Sequence, residues 1–453
     1  MRNLSLIGRV CVIKTLVLPQ LIYLFTVLSI RIPSSFFSEL NKIFYKFIWS
    51  GGRDRVQRKT MCNDYKDAGL KMIDPLSFAT AQKMTWVKNL LDENFEATWK
   101  GIELFFLKKF NQDVSLLWKC NAPECILNSL GNVQLAESLR SWYRYREEAT
   151  KEFYGQKFSE LSACQVLWYN KKIRSKSKSY FYYESWFQKN ILTISDLFNP
   201  PFPGHKLFEE LVLDFCISSK ERRKFIFFIK NIPEKWMVAY DVDIVGVHDT
   251  IVLSLINLKR VPRKTYNVLL GSHAPTKRYD YWKENILVPV DIEWQKVHLT
   301  NLFCTLDTKL RSFYFKIFHK AIALNDFLFK IKKKDSPNCS LCGKEEETFV
   351  HLFCECEKVI PIWLKLLDMI SQKSNSNVVV TNWEKLFGIC TDKFISYLFL
   401  LLKYHIHLCK FNNSVPNFTV FKSFVKKQKE LEYLSAKKKG KLPSHFKKWR
   451  FEL

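Results

Sequence analysis

Four cysteines and a histidine crowd into eighteen positions of this chain: Cys339-Ser-Leu-Cys342, then eight residues, then His351-Leu-Phe-Cys354-Glu-Cys356. Two thiols separated by two residues on a tight turn, with Gly343 directly after, can both reach one Zn²⁺. A later histidine and thiol complete the tetrahedron, and four protein ligands make such a site closed and structural rather than catalytic. Spacing alone leaves the fourth ligand open. Cys354 at i+3 from His351 shares its helical face, whereas Cys356 at i+5 requires the helix to end or bend first. The bland alternative is a set of free thiols in a helical hairpin. Zinc would instead pin a short, poorly cored hairpin against its neighbours, and chelation would remove that folding energy.

Other chemistry-bearing residues are weaker. His405-Ile-His407 puts two imidazoles on different sides of a helix, so ordinary core or boundary histidines are expected there. Tyr240-Asp241-Val242-Asp243 resembles a Mg²⁺-holding carboxylate pair, but a valine separates the aspartates and no third acidic partner stands out, so it reads as a turn. There is no Gly-x-Ser-x-Gly, P-loop, Gly-x-Gly-x-x-Gly or His-Glu-x-x-His, and no catalytic centre is expected. A basic, aromatic stretch from Trp49 to Tyr65 offers Arg53, Arg55, Arg58 and Lys59, joined by Arg9 and Lys14, as phosphate contacts. Its aromatics either stack on bases or belong to the core.

The elements that must position these groups are helical. The chain has 453 residues, 47% apolar with 38 Phe and 13 Trp, but only 13 Gly and 15 Pro, which excludes wholesale disorder and collagen-like or linker-dominated architectures. The fold class expected is mainly α: a helical N-terminal domain (1–91), a mixed, mostly helical middle region (92–290), a helical C-terminal region (291–410) with a small CCHC zinc module near 335–363, and a basic tail (411–453). Leu4 to about Trp49 reads as two helices, broken at Ile32-Pro33 and stopped at Ser50-Gly51-Gly52. Asp67 to Met72 reads as a turn and Asp74-Pro75 as a helix start. Lys171 to Ser179 and Asn199 to Gly204 are candidate surface loops or linkers. A helical run from Trp294 through Phe318 precedes the cysteine cluster, and another from Trp383 to Lys410 follows it.

Two apolar runs invite a membrane reading. Lys14, Pro19 and Gln20 interrupt the first, Leu16 to Ile30, and both it and Phe394 to Leu402 fall short of the ~20 apolar residues a span requires, so buried helices and no membrane partner are expected. Thirteen cysteines, spread out apart from the cluster, suit a reducing compartment better than a disulfide framework. The net charge of +27 makes the surface attractive to polyanions. The tail is the most basic part, an interaction arm or a solvated end, and its Lys437-Lys438-Lys439-Gly440-Lys441 is compatible with nuclear import.

Leu4-Ser5-Leu6-Ile7-Gly8-Arg9, Ile13-Lys14, Leu18-Pro19-Gln20-Leu21-Ile22-Tyr23, Phe47-Ile48-Trp49 and Gly69-Leu70-Lys71-Met72 together resemble the region just after the palm in reverse transcriptases of LINE-type non-LTR retrotransposons. Leu167-Trp168-Tyr169-Asn170, Trp186, Ile194-Ser195-Asp196-Leu197, Leu310 to Lys316 and the Cys-Cys-His-Cys cluster followed by Trp363 resemble the long C-terminal region of the same polyproteins. The resemblance covers nearly the whole chain. It implies that residues 1–91 are thumb-like and hold template and primer, and that Cys339, Cys342, His351 and Cys356 hold zinc, with Cys354 where a bulky residue is common. Glu357 replaces the proline that often follows the last ligand. The family's endonuclease and its Tyr-x-Asp-Asp palm site lie upstream of the Leu-Ser-Leu-Ile-Gly-Arg element, so the resemblance implies a non-catalytic C-terminal fragment. Its expected partner is RNA or RNA/DNA hybrid, in ribonucleoprotein of nucleus and cytoplasm. A host-retained adaptor that binds a protein partner through the helical and zinc-bearing faces is the alternative. A complete polymerase or nuclease using unrecognised carboxylates is a third.

Overall fold

Ser5 begins the first helix because its hydroxyl accepts the backbone N–H of Gly8 at 3.1 Å, satisfying one of the free donors of the first turn. Helix α1 (Leu6–Val12) passes through a wider π turn (Ile13–Val17) into α2 (Leu18–Val27), so the chain stays helical across Pro19. The wide turn directly before the proline accommodates a residue with no N–H to donate. Helix α3 (Ser34–Ile48) starts just after Pro33 and stops at Ser50 and Gly51, both with positive φ. The computed structural model describes residues 4–28, 30–109, 118–154, 158–198, 204–237, 247–271, 277–289, 292–374, 378–389 and 391–449. Among them the structure is helical, with isolated antiparallel bridges and no longer strand. Tyr240 to Asp243 and Asn199 to Pro203 lie outside the described residues.

The remaining helices that matter here are α4 (Pro75–Leu91), α5 (Val133–Tyr154), α6 (Val261–Leu270), α7 (Trp294–Phe303), α8 (Thr308–Phe318), α9 (Asn325–Lys330), α10 (Ile360–Ser374), α11 (Lys393–Phe411), α12 (Phe418–Lys438) and α13 (Leu442–Lys448). They gather into two compact units, each discontinuous in sequence. One comprises Met1–Val17, Lys42–Ile73 and His273–Leu453; the other comprises Leu18–Asn41 and Asp74–Ser272.

The second unit is built on α4, capped by Asp74, whose carboxylate accepts the Ser77 N–H at 2.8 Å. Helices α5 and α6 pack on it. Its core is rich in indoles, with Trp118, Trp142, Trp168, Trp186 and Trp236 all buried. Arg146 is buried among them, where burial lowers its pKa and hydrogen bonds to Trp118 O, Cys120 O and Asn121 Oδ1 at 2.6 to 2.9 Å offset part of that cost.

In the first unit α1 lies on α8, where Ser5 Oγ donates to Thr308 Oγ1 at 2.8 Å and Ile7 N–H to Ser312 Oγ at 3.1 Å. The run expected from Trp294 to Phe318 is two helices, because Asp307 caps α8 by accepting Lys309 N–H at 2.7 Å. The run after Trp383 also divides, at Gly388, into Asn382–Phe387 and α11. Helix α11 is the central element. Its side chains from Phe394 to Lys403 are buried apart from Ile395, which explains why this stretch carries one charge, Lys403. That ammonium donates to Leu386 O and burial pulls its pKa down to about 7. The basic tail folds: α12 and α13 form a helical pair that buries Phe421, Val425 and Trp449.

The expectation of buried N-terminal helices is met only along one stripe. Leu6, Val10, Ile13, Leu18 and Phe25 are buried, whereas Leu16 is 61% and Tyr23 63% exposed. By length and composition the continuous helix Leu6–Val27 could cross a membrane, the one such helix among the described residues. Sequence patterning shows which residues are apolar all round, but not how many neighbours are available to cover them.

Candidate metal centre

The cysteine-bearing turn is set by its backbone. Cys339 N–H donates to Glu345 O at 2.7 Å, Glu347 N–H to Pro337 O at 2.8 Å, and Asn338 bridges to Glu346. At its tip Gly343 N–H closes on Cys339 O at 2.8 Å with φ +72°, a conformation glycine adopts without steric cost. Asn338 Nδ2 steadies the same tip by donating to Gly343 O at 3.0 Å. Cys339 and Cys342 thereby face the same side.

The other two ligands come from a winding that spacing arguments left open. Thr348 caps the segment through its hydroxyl, which accepts His351 N–H at 3.1 Å. Residues His351–Glu355 then form a single π turn, closed by Cys356 N–H donating to His351 O at 2.8 Å. One extra residue per turn brings i+5, rather than i+4, back over the histidine, and Cys356 leaves the helix with ψ 130°. Cys354 points the other way into the core, with its thiol 3.8 Å from Asn382 O and its pKa pushed up to about 12 by burial. The fourth ligand is therefore Cys356.

The ligand atoms of Cys339, Cys342, His351 and Cys356 lie within 4.8 Å of one another. Cys339 Sγ is 3.9 Å from Cys356 Sγ, and Cys342 Sγ is 3.4 Å from His351 Nε2. Tetrahedral Zn²⁺ with Zn–S of about 2.3 Å sets its sulfurs about 3.8 Å apart, so the donor set fits the ion. The hydrogen bond between Cys339 and Cys356 lowers the pKa of the first thiol and raises that of the second. Zinc displaces thiol protons and holds both sulfurs as thiolates. Behind the ring, His351 Nδ1 sits 2.9 Å from Glu345 Oε2, at ion-pair distance but outside hydrogen-bond alignment. A carboxylate there favours the tautomer with Nε2 free for the metal.

Sequence reasoning missed what anchors this module. Glu347 is fully buried, and its carboxylate accepts Asn325 N–H at 2.9 Å, Ser340 N–H at 2.8 Å and the Lys410 ammonium. One side chain thus joins the start of α9, the cysteine turn and the end of α11. Asn325 Nδ2 adds bonds to Asn338 O at 2.7 Å and Ser340 Oγ at 2.9 Å, and Trp363 Nε1 holds the π turn by donating to Phe353 O at 2.7 Å. The available signal was the position of Glu347, an acid directly before the capping Thr348 and flanked by two exposed acids on its other side.

The basic residues proposed for nucleic acid are placed differently. Arg9 reaches the end of α3, donating to Ile48 O at 3.0 Å, Phe47 O at 3.4 Å and Ser50 Oγ. Arg55 donates to Ala321 O at 3.0 Å, and Arg58 pairs with Asp54 at 2.7 Å while its guanidinium lies 4.7 Å from the Tyr45 ring centroid. Lys14 is half-buried, and burial together with Lys71 lowers its pKa. Arg53 and Lys59 are exposed. Trp49 is buried and Tyr65 packs edge-on against Phe303. His405 is buried and His407 half-buried on α11, and they do not meet: His405 stands by Cys409 and Phe421, His407 by Phe313 and Phe411.

A family model described as zinc-binding in reverse transcriptase matches residues 285–363. The matched stretch includes all four ligands, α7 to α9 and Trp363. This region is similar to the zinc-binding module of reverse-transcriptase-related proteins, and its cofactor is structural zinc.

Proposed function

We propose that this chain is the thumb, linker and zinc-bearing C-terminal part of a LINE-type non-LTR retrotransposon reverse transcriptase, and that it binds RNA or RNA/DNA hybrid without catalysing a reaction of its own. The observation that carries the reading is the closed Cys339, Cys342, His351, Cys356 site inside a segment that matches the reverse-transcriptase zinc-binding model. A four-ligand site leaves no open position for substrate, so its part is to hold the turn and the helices behind it in place. The +27 charge supplies affinity for a polyanion, and Arg53 and Lys59 remain presented to solvent. The residues of the Leu-Ser-Leu-Ile-Gly-Arg element act as a joint: Ser5 caps α1 and meets α8, and Arg9 clamps the end of α3. Joints of this kind suit a scaffold that positions a nucleic acid. In a cell the reading places the chain in ribonucleoprotein of nucleus and cytoplasm.

The test is fluorescence anisotropy with labelled single-stranded RNA, RNA/DNA hybrid and duplex DNA at two salt concentrations, with zinc content measured on the same samples. Affinity for RNA and hybrid that falls steeply with salt is expected. Negligible RNA affinity overturns the reading, and capture of a protein partner that persists at high salt favours an adaptor instead. Mg²⁺-dependent extension of a primed template would overturn the non-catalytic part.

A further inference from the structure

Two neighbouring cavities of about 490 and 190 Å³ lie in the first unit, between the end of α7, the start of α11 and the α12–α13 pair. Both are lined by Phe303, Cys304, Ser444 and Lys448, so they form one groove. Phe303 is 52% exposed at its mouth although its ring is held, edge-on to Tyr65 and with the Arg311 guanidinium 5.4 Å from its centroid. Leu306, 62% exposed, continues the apolar rim.

The charges around this groove are unequal. Five lysines line it, Lys393 from α11 on one side and Lys439, Lys441, Lys447 and Lys448 on the other, against two carboxylates. Both carboxylates are occupied. Asp392 caps α11, accepting Phe394 N–H at 2.8 Å and Ile395 N–H at 3.0 Å. Glu432 is held by Lys448 at 2.7 Å and by Trp449 Nε1 at 2.9 Å. Lys393, Lys439, Lys441 and Lys447 are exposed and have no ion pair among the described residues. The floor is inert: Cys304 is buried and its pKa is pushed up to about 12 by that burial.

We infer that this groove binds single-stranded nucleic acid, with the Phe303 ring stacking on an unpaired base and the lysines of the two walls taking the flanking phosphates. Among polyanions a single strand presents both an aromatic face and regularly spaced phosphates to such a groove, whereas a duplex hides its base faces inside the helix. The inference rests on the proposed nucleic-acid function and adds the place and strandedness of the ligand. It also gives the folded basic tail a use, since α12 and α13 carry one wall.

The experiment compares full-length variants with fluorescein-labelled oligouridylate and with the same strand annealed to oligoadenylate. The variants are Phe303→Leu, the triple Lys393→Gln/Lys441→Gln/Lys447→Gln, and a control triple Lys220→Gln/Arg223→Gln/Lys230→Gln that removes equal charge elsewhere. The groove triple is expected to bind the single strand about tenfold more weakly with a shallower salt dependence. Phe303→Leu is expected to lose about fivefold or more on the single strand while leaving the duplex and the salt slope unchanged. Photocrosslinking of 4-thiouridine-substituted RNA to the peptide bearing Phe303 supports the site independently of any substitution. If wild type binds RNA but the groove triple behaves as the control triple does, the groove is wrong and the RNA reading stands. If wild type binds neither probe, both fall. Zinc content and thermal unfolding confirm that each variant is folded, and the lysine triple, confined to exposed side chains, keeps the test open should Phe303→Leu unfold.

Discussion

The cysteine turn and the basic loop were both candidate sites, and they turn out to be opposites. At the turn, side chains spread over eighteen positions converge on one point: four ligand atoms gather within 4.8 Å. Among the basic residues of the loop and of α1, side chains diverge. Arg9, Arg55 and Arg58 each spend their guanidinium on a partner inside the chain, two of them on backbone carbonyls. Metal ligation demands a fixed geometry, so spacing carries information about it. Attraction to phosphate demands only charge, and charge is also what closes helix ends.

Four experiments can break or sharpen this contrast. The largest effect belongs to the metal. Chelation, or Cys339→Ser/Cys342→Ser, is expected to abolish binding of about one zinc and unfold the module, since structural zinc contributes roughly 10–16 kcal/mol at neutral pH in small domains. Cys354→Ala should keep full zinc content, and loss of metal in that variant would sink the assignment of Cys356. Next comes Glu347→Ala, which strands the Lys410 ammonium and two backbone donors inside the protein. A loss of about 3–5 kcal/mol by denaturant unfolding is expected, with zinc affinity reduced by roughly 10–100-fold.

The third concerns Lys403. Its pKa is near 7 when folded and 10.5 when unfolded, so between those values the unfolded chain binds the extra proton and stability rises with pH. The penalty is complete below pH 7 and gone above 10.5. Lys403→Met is expected to be more stable than wild type by about 1–3 kcal/mol at pH 7, and the gap should close on the alkaline side. A gap that does not move with pH would show that the lysine is not the cause. The smallest effect is expected for Arg9→Gln, about 1–2 kcal/mol of stability with RNA affinity nearly unchanged. A large loss of affinity without loss of stability would instead assign Arg9 to the nucleic-acid surface.

Much of this was legible in the chain. Ser50-Gly51, Asp74-Pro75 and Pro33 punctuate helices where their backbone preferences require, and Cys-x-x-Cys with a later His and Cys announces a metal. What was not legible depends on neighbours distant in sequence. Leu16 and Tyr23 look like core residues but face outward, because apolar character does not reveal which faces are covered. Glu347 looks like one acid among several, and only its three donors, from α9, Ser340 and α11, distinguish it. The tail looks like a solvated arm because its lysines outnumber the few residues, Phe421, Val425 and Trp449, that dock it. Spacing left the choice between Cys354 and Cys356 open and the resemblance implied Cys356; the backbone winding supplies the physical reason.

That winding makes the stretch from His351 to Cys356 a counting device. Its four intervening residues can change in kind, provided their apolar members still fill the core, but a change in number requires the winding to change with it. Removing one displaces the final thiol by about 100° around the helix, away from the ion, unless the π turn rewinds to an ordinary α turn that returns i+4 over the histidine. Length, not composition, is the quantity to hold constant when this segment is aligned, grafted or redesigned.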